Sequence, residues 1–100
     1  MPSGKSVRPQ KWSRIIDLFD DGEYSVIWGS YERKPRRCLG VRWNGSGRKL
    51  GFPTQRGKPL WHVEPEFLTG PILEDLMSQN WLTDKQRRNV KMALREFRQP

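Results

Sequence analysis

Between Tyr24 and Trp43 the large apolar residues fall on alternate positions, and this alternation constrains the fold more than any other feature of the chain. In Tyr24-Ser-Val-Ile-Trp-Gly-Ser-Tyr31 the residues Tyr24, Val26 and Trp28 share one parity, the period that sends successive side chains of an extended chain to opposite faces. The next run repeats it, with Leu39, Val41 and Trp43 pointing one way and Cys38, Gly40 and Arg42 the other. The turns fit the same pattern. Pro35, in the loop from Glu32 to Arg37, cannot join a central ladder, and Asn44-Gly45-Ser46-Gly47 tolerates the positive φ of a hairpin turn. Leu50-Gly-Phe52 reads as a short third strand, Gln55-Arg-Gly-Lys-Pro59 as a basic turn, and Leu60-Trp-His-Val63 as a closing strand. The expected sheet has three or four antiparallel strands, curled or closed into a small barrel of the SH3 or OB kind.

The flanks carry a helical period instead. Trp12, Ile15, Ile16 and Phe19 match the i, i+3, i+4, i+7 template and predict an N-terminal amphipathic helix from Pro9, ended by Asp20-Asp21-Gly22. Beyond Val63, Pro65 to Leu68 reads as a single turn broken at Thr69-Gly70, followed by a helix from Pro71 to about Gln79 with Asn80 as a left-handed cap. Thr83 with Gln86 forms a capping box that starts a last helix, Asp84 to about Arg98. Its residues Val90, Ala93, Leu94 and Phe97 cover one arc, and basic side chains fill the adjacent one. The fold class is therefore α+β. A disordered tail over residues 1–8 precedes one domain over 9–98, with a modest core that includes Ile15, Ile16, Phe19, Val26, Trp28, Leu39, Val41, Leu76, Leu94 and Phe97.

The formal net charge of +8 is unevenly placed. Residues 23–63 carry +7 and residues 85–100 carry +5, while residues 64–84 carry −5. Such segregation suits either a polyanion-binding face or an internal match between neighbouring elements. No run has the length of a signal peptide or a membrane span, so a cytoplasmic protein with no membrane partner is expected. One cysteine and one histidine furnish neither a disulfide nor a four-ligand zinc site, and no metal or cofactor is expected. Cys38 reads as a small strand residue beside Gly40.

The basic turns and the basic helix arc point to a non-catalytic module for nucleic acid or another polyanion. Candidate phosphate contacts are Arg33, Lys34, Arg36, Arg37, Arg48, Lys49, Arg56 and Lys58 in the loops, with Arg88, Lys91 and Arg95 on the last helix. Candidate base-stacking residues are Tyr31, Trp43 and Trp61, with Trp61 favoured as the exposed one. A sharper version makes the last two helices a helix-turn-helix with Lys85, Gln86 and Arg88 facing bases, although a helical hairpin capping a sheet gives the same sequence. A protein-interaction adaptor or homodimer that uses an aromatic groove rests on the same residues. His62, near Glu64 and Glu66, could act as a general base in a hydrolase, but no nucleophile motif accompanies it, and no catalytic residue is assigned.

The runs Val26-Ile-Trp28-Gly-Ser-Tyr31-Glu, Leu39-Gly-Val-Arg42-Trp43-Asn-Gly45, Gly51-Phe-Pro53 and Trp61-His-Val63-Glu-Pro65 resemble a group of small uncharacterised bacterial proteins of the kind carried on mobile elements such as integron gene cassettes. The resemblance spans about residues 24 to 77. It implies a mobile-element origin and a single-domain architecture, and no particular activity.

Overall fold

A computed structural model describes residues 11–45 and 49–99. The expected tail at residues 1–8, the start of the predicted helix at Pro9, the turn residues Ser46 and Gly47, and Arg48 lie outside the described residues. The elements run β1 (Trp12–Asp20), β2 (Tyr24–Tyr31), β3 (Cys38–Trp43), β4 (Thr54–Gln55), β5 (Lys58–Pro59), β6 (His62–Val63), α1 (Glu66–Ser78) and α2 (Asp84–Phe97). Four strands form one antiparallel sheet in the order β1-β2-β3-β6, and β4 and β5 form a separate hairpin.

The N-terminal helix expected from Trp12, Ile15, Ile16 and Phe19 is instead strand β1, and the reason lies in its register. Opposite β2, β1 carries an extra residue between Ser13 and Ile16 and another between Asp17 and Phe19. Each bulge reverses the alternation of faces, so a strand displays apolar residues at spacings of three and one that imitate a helix. Arg14 takes a left-handed φ of 51° within the first irregular stretch. Its side chain is tied down by Nε donating to Ser30 Oγ at 2.8 Å and Nη2 donating to Pro35 O at 2.6 Å. The Asp20-Asp21-Gly22 stop signal is real but ends a strand: Asp21 Oδ1 accepts from the backbone N–H groups of Glu23 and Tyr24, and Gly22 has φ 91°.

Both faces of the sheet are used. On one, Leu18, Val26, Trp28, Leu39 and Val41 pack against Leu73, Leu76, Leu82, Val90, Ala93 and Leu94 of the helical segment. On the other, Trp12, Ile27 and Trp61 form a smaller cluster joined by Ile15, Tyr31, Cys38 and Val63. Ile15 thus lies on the opposite side from the core expected for it, and Leu18, absent from the helical stripe, is fully buried. The Trp12 ring lies over Gly40, where a Cβ would sit 2.8 Å from its Cη2. No barrel closes among the described strands: β1 and β6 are the two edges, because the helices rather than a returning strand cover the large face.

Helix α1 is continuous through the break expected at Thr69-Gly70. Gly70 has no Cβ to clash with the ring of Pro71, which removes the usual bar to helical backbone before proline. Thr69 Oγ1 also donates to Pro65 O at 3.2 Å. Helix α1 ends at Ser78 with Gln79 extended, so the cap is not at Asn80. Its terminal carbonyls are instead met by Arg87 of α2, which donates to Met77 O at 2.9 Å and to Gln79 O at 2.5 Å, a cation placed where the helix dipole favours it. The capping box of α2 forms as expected, with Gln86 N donating to Thr83 Oγ1 at 3.1 Å and Thr83 N donating to Gln86 Oε1 at 2.9 Å.

Candidate nucleic-acid interface

The structure divides the candidate cations into those spent on the fold and those left outward. Arg37 is spent: Nε and Nη2 each donate to a different oxygen of Glu96 at 2.8 Å, and Nη1 donates to Arg14 O at 3.0 Å. Arg36 donates to Phe97 O at 2.5 Å and lies over the Phe97 ring, 5.7 Å from its centre. Both tie the β2–β3 loop to the C-terminal turn of α2. Arg33 and Lys34 stay exposed on that loop, Lys49 on the chain after β3, Arg56 and Lys58 on the β4–β5 hairpin, and Arg88, Lys91 and Arg95 along α2. Arg98 pairs with Glu74 across the two helices. Among the described residues this is the only ion pair that joins acidic α1 to basic α2.

These groups do not form one patch. The β2–β3 loop leaves the sheet beside the Gly29–Cys38 pair, whereas Lys49, Arg56 and Lys58 follow Trp43, which pairs with Tyr24 at the other end. The length of β3, roughly 17 Å, separates the two basic ends.

The aromatic candidates also sort by burial. Tyr31 is half-buried against Trp12, with ring centres 5.2 Å apart. Trp61, favoured from sequence as the exposed stacker, is 5% exposed, because residues 61 and 63 share a parity and both turn into the smaller cluster. Trp43 is 56% exposed and Phe52 67%. The latter was missing from the sequence candidates. Trp43 N donates to Phe52 O at 2.8 Å and Phe52 N to Trp43 O at 2.9 Å, so the two are directly opposite and their side chains project on the same side. Tyr24, half-buried and opposite Trp43 on β2, meets its ring edge-on at 4.6 Å. Burial, with the charge of Glu64 adding to it, pushes the Tyr24 phenol up, so it stays neutral in the row. Tyr24, Trp43 and Phe52 thus form an aromatic row across three neighbouring segments. Only a register could reveal it, since Gly51-Phe-Pro53 carries no local sign of its partner.

Buried polar residues on either side of Trp43 hold the row in place. Arg42, 1% exposed, donates from Nη1 to Leu60 O at 2.6 Å and from Nη2 to Leu50 O, and its Nε has no partner among the described residues. Burial pushes its pKa down, yet an arginine starts so high that it stays charged. Asn44, fully buried, donates to Asp20 Oδ1 at 3.1 Å and accepts from Ser25 Oγ at 2.8 Å. An open groove of about 800 Å³ runs along Trp43 and Phe52, with Lys49, Thr54 and Glu23 on its margin.

His62 is exposed on β6, and its Nε2 lies 3.8 Å from Glu64 Oε1, too far for a hydrogen bond. That contact adds no support for a general-base role. The free thiol of Cys38 is pushed up chiefly by burial, which disfavours the reactive thiolate. Among the described residues no group of three or more His, Cys, Asp or Glu side chains could hold a metal ion, and no helix is long and apolar enough to cross a membrane. Comparison with protein-family models, with curated proteins and with solved structures found no match to this chain.

Proposed function

We propose that this protein is a non-catalytic binding module for nucleic acid or another polyanion. The observation that carries the reading is the outward, uncommitted charge. Among the described residues Arg88, Lys91 and Arg95 on α2, with Lys49, Arg56 and Lys58 beyond β3, are exposed and make no ion pair. Glu96, the one carboxylate of α2 past its first turn, is used up by Arg37 and Trp28. Unmatched lysine and arginine heads attract phosphate and release counterions. A cytoplasmic setting goes with this reading.

Fluorescence anisotropy with labelled oligonucleotides tests the reading. If about four phosphates are contacted, affinity should fall about 100-fold between 50 and 200 mM salt. No binding at the lower salt concentration would overturn it. A second reading, a protein-interaction adaptor or homodimer, is favoured by Phe67, 76% exposed, and Leu68, 38% exposed, at the start of α1. Sedimentation would then show a dimer that Phe67→Ser dissociates.

A further inference from the structure

We propose that the Trp43–Phe52 pair is a base-stacking platform, so that this protein selects single-stranded over duplex nucleic acid. The inference rests on the polyanion reading and narrows it to one ligand class. Four observations converge on it.

The first is exposure without neglect. Trp43 and Phe52 leave more than half of their surface open, yet the backbone beneath them is joined by a reciprocal pair of hydrogen bonds. The residues flanking Trp43, Arg42 and Asn44, are both buried and hydrogen-bonded to chain remote from themselves. Burying a guanidinium with one N–H unpaired is costly, and here it anchors the two segments, at Leu50 and Leu60, that lead into and out of the stretch bearing Phe52. A rigid, pre-positioned ring loses little freedom when a ligand settles on it.

The second is direction. Tyr24 meets the Trp43 ring edge-on and leaves its indole largely exposed, and Phe52 adds a second ring at the adjacent cross-strand position. Stacking on such rings tolerates any base, because every base has a π-face, but it requires bases that are not enclosed in a duplex.

The third is charge. Lys49 and Glu23 both border the groove, and Arg56 and Lys58 are exposed on the hairpin whose first residue, Thr54, also lines it. The surroundings of an aromatic pair meant for an apolar protein surface would not need three outward cations. Those of a site for a phosphate-linked chain of bases would.

The fourth is the placement of the alternatives. Tyr31 and Trp61 are packed into the smaller cluster, so among the sequence candidates stacking falls to Trp43 alone, joined by Phe52.

The test compares three labelled probes at one low salt concentration: a thymidine 12-mer, an abasic strand with the same phosphates, and a 12-base-pair duplex. The thymidine strand should bind at least tenfold tighter than either of the others. Trp43→Ala and Phe52→Ala should each weaken it roughly 5- to 150-fold and leave abasic-strand affinity unchanged, while Trp43→Phe recovers part of the loss. Both side chains are exposed, so the variants should fold, which urea melts confirm. If all three probes bind alike and the alanine variants weaken none of them, the platform is wrong while polyanion binding stands. If no probe binds, the parent reading fails and this one with it. A wild-type dimer dissociated by Trp43→Ala would assign the platform to a second copy of the chain and overturn the proposal.

Discussion

Arg37 and Glu96, 59 positions apart, form a two-pronged pair in which each carboxylate oxygen accepts one N–H at 2.8 Å, and Trp28 Nε1 adds a third donor at 3.2 Å. The pair fastens the β2–β3 loop to the last turn of α2, and its side chains are only 17% and 30% exposed. Arg37→Ala should therefore cost about 1–3 kcal/mol, read as a lower urea midpoint. Arg37→Lys should recover only part, since an ammonium cannot supply the fork.

The same pair sets a pH dependence. The Arg37 hydrogen bond holds the Glu96 carboxyl below the ordinary glutamate value near 4.5, against an opposing effect of burial, with Trp28 and the charges of Arg37 and Arg14 assisting. A carboxyl depressed in the folded state contributes stability that is fully present above the unfolded value and lost as pH falls through the folded one. The stability gap between wild type and Glu96→Gln should be constant from pH 7 to about 5 and shrink below 4.5. A gap that widens on acidification would contradict the assignment.

Arg42 gives a second prediction. Arg42→Ala leaves the Leu50 and Leu60 carbonyls without their donor and opens a cavity, at about 2–4 kcal/mol. Arg42→Met fills the space and should cost less. Both should change the near-ultraviolet circular dichroism, because the neighbouring aromatic row loses its anchor.

Two glycines with positive φ should respond very differently to alanine. At Gly57, φ 74°, a Cβ meets nothing within 4 Å, so the cost is the left-handed backbone alone, about 1 kcal/mol. At Gly51, φ 82°, it would meet Trp43 O at 1.9 Å, a clash that backbone must absorb. Thermal melts should show Gly51→Ala far more damaging than Gly57→Ala.

Thr83→Ala removes the Oγ1 acceptor of the Gln86 N–H and should cost about 1 kcal/mol. Thr83→Ser should be close to neutral in the same urea melts.

How much of this was legible depends on whether a signal is local. Strands β2 and β3, their facing, the capping box at Thr83 and the helical stripe of α2 are written in periods of two and 3.6 and in short-range turn chemistry, which neighbouring residues impose on one another. Strand β1 imitates a helix because two bulges, which exist only opposite β2, shift its apolar residues onto a helical spacing. The burial of Trp61 and the exposure of Trp43 were equally out of reach. Both are tryptophans in stretches that read as strands, and what separates them is which face another segment covers. Phe52 falls in a stretch that reads as a short strand after a hairpin turn, but the register that sets it opposite Trp43 has no local signal.

The amino-acid sequence by itself determined the sheet's central hairpin, the two C-terminal helical segments and the surplus of positive charge, because these follow from residue type and near-neighbour spacing. Tertiary structure alone decided that the first segment is a strand, that the sheet stays open under two helices, and which cations are spent on carbonyls and Glu96 rather than left outward. The physical reason is that bulge register, burial and ion pairing are set by contacts between residues dozens of positions apart, and such contacts leave no period in the chain.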